Sequence, residues 1–358
     1  MSGKNKSGAK SAFSQLLIPL IALGILVIFN LIRDPGFYRI SVAVNNYGNK
    51  VLTGNVISII DSASELAIIA MGMTLVTAAC GGQDISVGCV GTIAGSIFVI
   101  TLKGMGDITI WSVIAAGLAS IGVAVLFTLF NGTLVSVFNI QPMIATLILF
   151  SCGRSIAYWI VGSATPQISG PIITAMGFTI PGIPIPTPIF GVIAVGLLLM
   201  LVFKLTTLRL YTQSVGINKG ASRLNGINPV AVKLISFVIL GVCVAIAGII
   251  GTSRMGQVSL KTLLIDIEMD AILAVAIGGN NLGGGRFRLS GSILGAYIIQ
   301  MLSTTLQSMK VPPANIKAYK AIVIIIIVLA GSPVLKSKIT ALKNRRLAGT
   351  VNTGKEVQ

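Results

Sequence analysis

The chain contains no histidine, which removes His-based zinc sites, Ser-His-Asp triads and histidine proton relays. Its four cysteines, Cys80, Cys89, Cys152 and Cys243, form no C-x-x-C pair and sit in apolar or Gly-rich surroundings, as buried free thiols do. There is no H-E-x-x-H, no G-x-S-x-G and no G-x-x-x-x-G-K-[ST]. These sequences carry protease, hydrolase and phosphate-cradling chemistry, so the chain reads as neither hydrolase nor ATPase, with no metal site.

Two glycine-rich segments carry the remaining polar chemistry. One is Gly81-Gly82-Gln83-Asp84-Ile85-Ser86-Val87-Gly88. The other runs from Gly278 through Asn280, Asn281 and Gly285 to Arg286, after an acidic start, Asp266-x-Glu268-x-Asp270. Glycine permits close backbone approach and positive φ. Non-helical backbone within a membrane is tolerated only when packed in protein or lining a watery cavity, and broken helices beside polar groups build transport pathways. Gln83, Asp84, Asn280 and Asn281 are therefore candidate pathway residues. Asn131, Gln141 and Thr146, around the turn Asn139-Ile140-Gln141-Pro142, either meet a hydroxylated substrate or tie helices together. Charged groups within apolar runs are few: Asp61, Glu65, Asp84 and Arg154. Each needs a partner or a wet cavity. Asp84 either lines a pathway or caps the following helix. Arg154 lines a pathway, pairs with an acid or reaches an interface.

The elements that hold these residues follow from hydropathy. Of 358 residues, 54% are hydrophobic and 10% charged, and the mean hydropathy is +0.94. A span needs about 20 apolar residues, so this content suffices for nine or ten. Ten fall near 13–32, 56–80, 85–102, 110–138, 143–161, 188–205, 233–252, 267–280, 289–308 and 319–335, the fourth long and the eighth short. The fold class is all-α polytopic, with broken or re-entrant segments. Residues 1–12 form an N-terminal tail, 13–335 the transmembrane domain and 336–358 a C-terminal tail. The first run is too long for a signal-peptide core and lacks a small-residue cleavage site. The formal charge of +17 would suggest nucleic acid in a soluble protein. Here the basic residues flank the spans, 16 on one side and 9 on the other. The positive-inside rule then places both termini in the cytoplasm and leaves no role for nucleic acid.

The two glycine-rich segments form a candidate internal repeat. Glu65–Ala70 resembles Asp270–Val275, and each is followed by a Gly-Gly turn and a helix with Gly-x-x-x-Gly spacing, Gly91/Gly95 and Gly291/Gly295. Such spacing lets helices pack closely in lipid. The uncharged outer loop from Gly162 to Pro188 holds six prolines and is expected to be extended and stiff, either a docking surface or a connector. The inner loop from Leu208 to Pro229 suggests a short helix, with Asn218 as N-cap, Gly220 and Ala221 within it and Gly226 as its stop.

Three motifs in one order, G-G-Q-D-I-S-V-G, V-G-I-N-K-G-A-S-R-L-N-G-I and A-I-L-A-V-A-I-G-G-N-N-L-G-G-G-R, resemble the ribose/xylose-type permease subunits of bacterial ABC importers. The resemblance spans about Asp61 to Ser332. It departs at Gln83, where the family usually has an aliphatic residue, and Gly284-Gly285-Arg286-Phe287 is similar to members associated with galactofuranose. The resemblance implies a sugar pathway formed with a second permease, identical or paralogous, in the bacterial inner membrane. A periplasmic or lipid-anchored binding protein would deliver the sugar. A separate ABC ATPase subunit would bind ATP, leaving no cofactor here. Its docking loop would comprise Gly216, Asn218, Lys219, Gly220, Ala221, Arg223, Leu224 and Gly226. The competing readings are an ABC permease for branched-chain amino acids or nucleosides, and a secondary transporter.

Overall fold

The computed structural model describes residues 4–44, 50–162 and 165–331, with side chains omitted for 4–18, 324 and 326–331. The expected C-terminal tail, 336–358, lies outside the described residues.

Fourteen helices and one small hairpin make up this part of the chain. Helix α1 (Lys4–Arg33) already includes most of the segment read as an N-terminal tail. An exposed antiparallel hairpin, β1 (Ser41–Val44) and β2 (Lys50–Thr53), leads into α2 (Asn55–Ser62) and α3 (Ser64–Cys80). Then follow α4 (Val87–Met105), α5 (Ile110–Ser136) and α6 (Pro142–Val161). The remainder is α7 (Pro171–Gly177), α8 (Thr187–Leu205), α9 (Leu208–Ile217), α10 (Lys219–Leu224), α11 (Pro229–Met255), α12 (Ile267–Ile277), α13 (Leu289–Ser308) and α14 (Pro313–Gly331).

Among the described residues, seven helical segments are long and apolar enough to cross a membrane: α2–α3 together, α4, α5, α6, α8, α11 and α13. Helix α1 covers the first expected span, and α14 covers the tenth as far as Gly331, its last four residues lying outside the described ones. The eighth differs. Helix α12 has 11 residues, about 16 Å at 1.5 Å per residue, roughly half of a 30 Å hydrocarbon layer. Gly278 and Gly279 close it, and the remaining depth is taken by irregular backbone.

Helix α3 forms the centre, with Ser64 to Ala79 wholly buried. Helix α11 packs along α3, α4 and α5, and α12 pairs with α13. The outer helices are built inside out relative to a soluble bundle. The buried side of α5 is Ser112, Ala116, Ser120, Ala124, Thr128, Asn131 and Gly132. Its exposed side holds Trp111, Leu118, Leu126 and Phe130. Lipid supplies no drive to bury Leu or Phe, so small residues take the contact face and let backbones approach. At Gly241 of α11, an added Cβ would meet the Thr128 hydroxyl at 2.3 Å.

The proline-rich outer loop is a correction. Pro171 does not extend the chain but opens α7, occupying a first-turn position where its missing N–H costs nothing. Helix α7 packs on α11, where a Cβ on Gly177 would strike the Ser253–Arg254 peptide at 2.5–2.6 Å.

Candidate functional site: glycine node, buried polar network and exposed docking helix

At one end of the bundle, the two glycine-rich segments and the α9–α10 unit meet. The α10 cap is local and follows directly from sequence. Asn218 Oδ1 accepts the Ala221 N–H at 3.0 Å, and Gly226, at φ +77, lies just past the Asn225 C-cap. Lys219 donates from Nζ to Asn139 Oδ1 in the α5–α6 turn. Gly220, Ala221, Arg223 and Leu224 are exposed; Leu224 is 91% exposed and Ile217, at the end of α9, 74%. Leu208–Ile217 belongs to the inner loop expected from the sequence. It is a helix whose Leu208, Thr212 and Val215 are buried.

Gly216 is placed away from the exposed face of this unit. A Cβ there would lie 1.8 Å from the Ala78 carbonyl oxygen and 2.6 Å from the Gly285 nitrogen. At the same spot Gly285 N–H donates to Ala78 O at 3.0 Å. Gly284, at φ +92, brings its own Cβ position within 3.0 Å of the Gly81 Cα. Three backbones from α3, α9 and the 278–288 segment therefore touch without side chains between them. Gln83 adds a fourth tie, donating from Nε2 to Leu282 O at 3.0 Å.

Four candidate pathway residues converge beside this node. Asp84 Oδ1 accepts the Ser86 N–H (2.7 Å) and hydroxyl (2.6 Å), holding the entry to α4. Asn131 donates from Nδ2 to Ser86 Oγ (2.9 Å) and Asp84 Oδ2 (3.4 Å), while its Oδ1 is buried without a partner. Thr146 Oγ1 accepts the Ile85 N–H at 3.1 Å and donates to Pro142 O at 3.0 Å. Gln83 completes the group. Gln141 stands apart, exposed at the start of α6.

Asn280 anchors the second turn. Its Oδ1 accepts the Arg288 N–H at 2.7 Å, and Nδ2 reaches Ser292 Oγ at 2.9 Å and Arg288 O at 3.2 Å. Ser292 Oγ in turn accepts from Thr74 Oγ1 of α3 at 2.6 Å. Asn281 is exposed and closes its own turn, with Oδ1 accepting from Gly283 N and Nδ2 donating to Gly284 O.

Arg154 projects from α6 onto irregular backbone between α11 and α12, donating to Leu260 O at 2.6 Å and Leu263 O at 3.3 Å. Thr92 Oγ1 also donates to Leu263 O, at 3.2 Å. Non-glycine residues Leu264 and Asp266 adopt positive φ here, +49 and +58. Arg154 and Thr92 therefore supply donors to the Leu260 and Leu263 carbonyls of this irregular, partly buried segment. Glu268 lies close by and was missed as a site residue, although its acidic triplet is visible in the sequence. It is 4% exposed, its Oε2 has no hydrogen-bond partner, and it faces the first turn of α4, where a Cβ on Gly88 would sit 2.4 Å from Oε2.

The other end of the bundle is ionic. Arg254 Nη1 contacts Asp61 Oδ2 at 2.7 Å, and Nε lies 3.1 Å from Glu65 Oε1. Lys320 pairs with Asp270 at 2.8 Å, and Lys317 with Asp266. Glu65, Arg254, Asp270, Thr262 and Gln300 line a cavity of about 250 Å³ there. No cluster of three or more metal-ligating side chains occurs among the described residues.

A multi-helix membrane bundle with half-helices, glycine turns and polar groups at depth belongs to the class of transport proteins. Residues 55–330 match the family described as branched-chain amino acid transport system / permease component, and the chain belongs to that family. It is 33% identical over 327 residues to the galactofuranose transporter permease protein YtfT of Escherichia coli (91% of this chain, 92% of that protein). It is 34% identical over 338 residues to the fructose import permease protein FruF of Bifidobacterium longum (93% and 92%), and 31% identical over 320 residues to the ribose import permease protein RbsC of E. coli (87% and 91%). No solved structure matches the chain.

Proposed function

We propose that this chain is the membrane subunit of an ATP-driven importer for a neutral sugar in the bacterial inner membrane. Its similarity to sugar import permeases over about nine-tenths of its length carries this reading. The family description names branched-chain amino acids, but the three relatives are named for galactofuranose, fructose and ribose. A polar network with few fixed charges suits a neutral hydroxylated solute. The α10 end faces the cytoplasm in this reading, in keeping with the 16-to-9 bias of basic residues. Helix α10 docks on a separate ATPase that binds the ATP. A second permease, identical or paralogous, completes the pathway. A binding protein loads it from the α7 end, where the proline-rich loop lies.

The mechanism is alternating access. Closure of the ATPase pair displaces α10, and α9 carries the displacement to the glycine node. There the tail of α3 and the 278–288 turn have no side chains to cushion it, so the displacement of α9 reaches both glycine turns directly. Gln83, Asp84, Asn131, Thr146, Arg154, Asn280 and Asn281 lie on or support the segments that rearrange, and Gln141 stands apart from them.

The test is Gly220→Glu or Ala221→Glu, which places a carboxylate on the exposed face of α10. The expected result is a correctly inserted protein that neither retains the ATPase nor takes up sugar. Unchanged ATPase association and uptake would refute the docking assignment, and uptake that persists after ATPase deletion would refute the ATP-driven reading in favour of a secondary transporter. Competition of uptake by leucine rather than by a pentose or hexose would refute the sugar assignment.

A further inference from the structure

A cavity of about 600 Å³ opens at the α10 end between α8, α9 and the start of α13. Four cations line it: Lys204 in the last turn of α8, Arg209 in the first turn of α9, and Arg286 and Arg288 from the glycine-rich segment. No acidic residue among the described ones lines it. Apart from the buried Asp84 and Glu268, the described acidic residues belong to segments at the opposite end: Asp34, Asp61, Glu65, Asp107, Asp266 and Asp270. Lys204, Arg209 and Arg286 form no ion pair among the described residues. Partial burial and the neighbouring Arg286 charge both pull the Arg288 guanidinium below its ordinary pKa. Like charges gathered in a concave site repel one another unless an anion sits between them.

The rest of the wall is apolar. Phe203 of α8 and Phe287 meet edge to face, with centroids 4.9 Å apart, and Met200 and Leu289 flank them. Helix α8 exposes Leu197, Leu201 and Leu205, the side chains expected against acyl chains. Leu289 and Ser290 of the first turn of α13 line this space, and no described side chain caps that turn's N–H groups. Cations with an apolar wall, at the boundary between a lipid-facing helix and polar loops, match the two ends of an anionic phospholipid.

We infer that this cavity binds the phosphate headgroup of an anionic phospholipid, with the glycerol and upper acyl chains against Phe203 and Phe287. A soluble phosphate compound uses the cations but gains nothing from the apolar wall. An acidic surface of a partner protein is less suited, because the cavity is recessed whereas α10 projects. The inference needs only that the chain is embedded in a membrane, not which solute it carries.

The test is lipid retention by the full-length protein, purified in mild detergent with its co-purifying subunits and exchanged into nanodiscs of phosphatidylglycerol or phosphatidylcholine. Bound lipid is counted by mass spectrometry. Wild type is expected to retain phosphatidylglycerol selectively. Arg209→Gln with Arg286→Gln weakens retention about 30-fold, equivalent to about 1 kcal/mol for each charge near the membrane surface. Arg209→Lys with Arg286→Lys restores most of it, and Lys103→Gln with Lys310→Gln at the far end leaves it unchanged. Retention unaffected by the double Gln substitution, or equal retention of the two lipids, overturns the inference. Displacement by millimolar glycerol phosphate would instead assign the site to soluble phosphates. Loss of ATPase association with lipid retained would assign it to a protein partner.

Discussion

Gly216 and Gly220 lie four residues apart in the α9–α10 unit, and a methyl group added to each separates packing from docking. At Gly216 the new Cβ falls 1.8 Å from Ala78 O, whereas contacts below 3.0 Å are not sustained, so α9 and α3 must part by about 1.2 Å. The same methyl intrudes on the Gly285 N–H bond to Ala78 O. Overpacking costs about 1–3 kcal/mol and loss of a buried backbone hydrogen bond about 1–3 more, roughly 2–6 kcal/mol together. At about 2 °C per kcal/mol for a long chain, the thermal midpoint falls by on the order of 4–12 °C. At Gly220 the nearest atom to the new Cβ is Asn218 Oδ1 at 3.4 Å, an ordinary contact. Both sites are helical, so each gains up to about 1 kcal/mol of helix propensity from alanine. That term cancels in the comparison and leaves the steric difference.

The assay has two readings: the thermal midpoint in detergent and ATP-dependent uptake in proteoliposomes with the partner subunits. Gly216→Ala should lose stability and couple ATP hydrolysis to uptake poorly. Gly220→Ala should keep both. If Gly216→Ala retains the wild-type midpoint and uptake, the close contact of α9 with α3 does not exist in the working protein and the proposed relay fails. A lower midpoint with normal coupling would preserve the contact but refute its role in transmission.

Arg154→Leu strips the donors from Leu260 O and Leu263 O, and at about 1.5–3 kcal/mol per charged hydrogen bond it should cost roughly 3 kcal/mol or more, read as a lower midpoint and faster proteolysis within 256–266. Asn280→Ala removes the clamp on Arg288 N and Ser292 Oγ and should cost about 2–4 kcal/mol, while Asn281→Ala, at an exposed turn, should change the midpoint by under about 1 kcal/mol equivalent; equal effects would refute the distinction. Arg254→Gln leaves Asp61 and Glu65 without a cation and should destabilise by about 2–3 kcal/mol, below the 3–5 of a fully buried pair because Arg254 is partly solvated, and adding Asp61→Asn should recover part of the loss in a double-mutant cycle. Gln83→Leu, which restores the aliphatic residue usual in the resembling family, should cost no more than about 1 kcal/mol in stability and shift sugar preference if Gln83 faces the solute; an unchanged preference would leave it as the tie to Leu282 O.

What the sequence made legible was local. The α10 cap needs only Asn218, the next three residues and Gly226, and the long spans need only their own hydropathy. The α9 helix was hidden because its buried face, Leu208, Thr212 and Val215, is too short and too polar to show as a span. Gly216 read as part of a docking loop, since nothing in its neighbours announces that Ala78 and Gly285 come to meet it. Arg154 had three readings, and tertiary contact supplied a fourth: a donor to the carbonyls of irregular backbone. The repeat was visible as residues but not as packing. Its second copy, α12–α13, forms a close pair, with a Cβ on Gly291 only 2.1 Å from Gly278 O. In the first copy α3 and α4 barely touch, and α11 packs against both, with a Cβ on Gly248 at 2.3 Å from Gly91 O. The same glycine spacing thus served two different partners, which pattern alone does not distinguish.

That asymmetry bears on how a displacement at α10 would spread. A helix pair in backbone contact moves as one body, because glycine faces leave no side-chain rotamers to absorb a shift. Helices α12 and α13 should therefore respond together to a pull on Gly285. Helix α4 is held differently, through the Asp84–Ser86–Asn131 bonds to α5, the Ile85–Thr146 bond to α6 and the α11 contact at Gly248. Among the described residues the 81–86 segment links it to the node, with Gln83 as the side-chain tie to the opposite turn. Parting the two glycine turns then breaks the Gln83–Leu282 O bond and, where α3 runs into the first turn, strains the Gly285–Ala78 O bond, both neutral and worth about 1 kcal/mol each, and separates no charges. An input from an ATPase is large against that barrier, so the weak joint between the turns is where opening should begin.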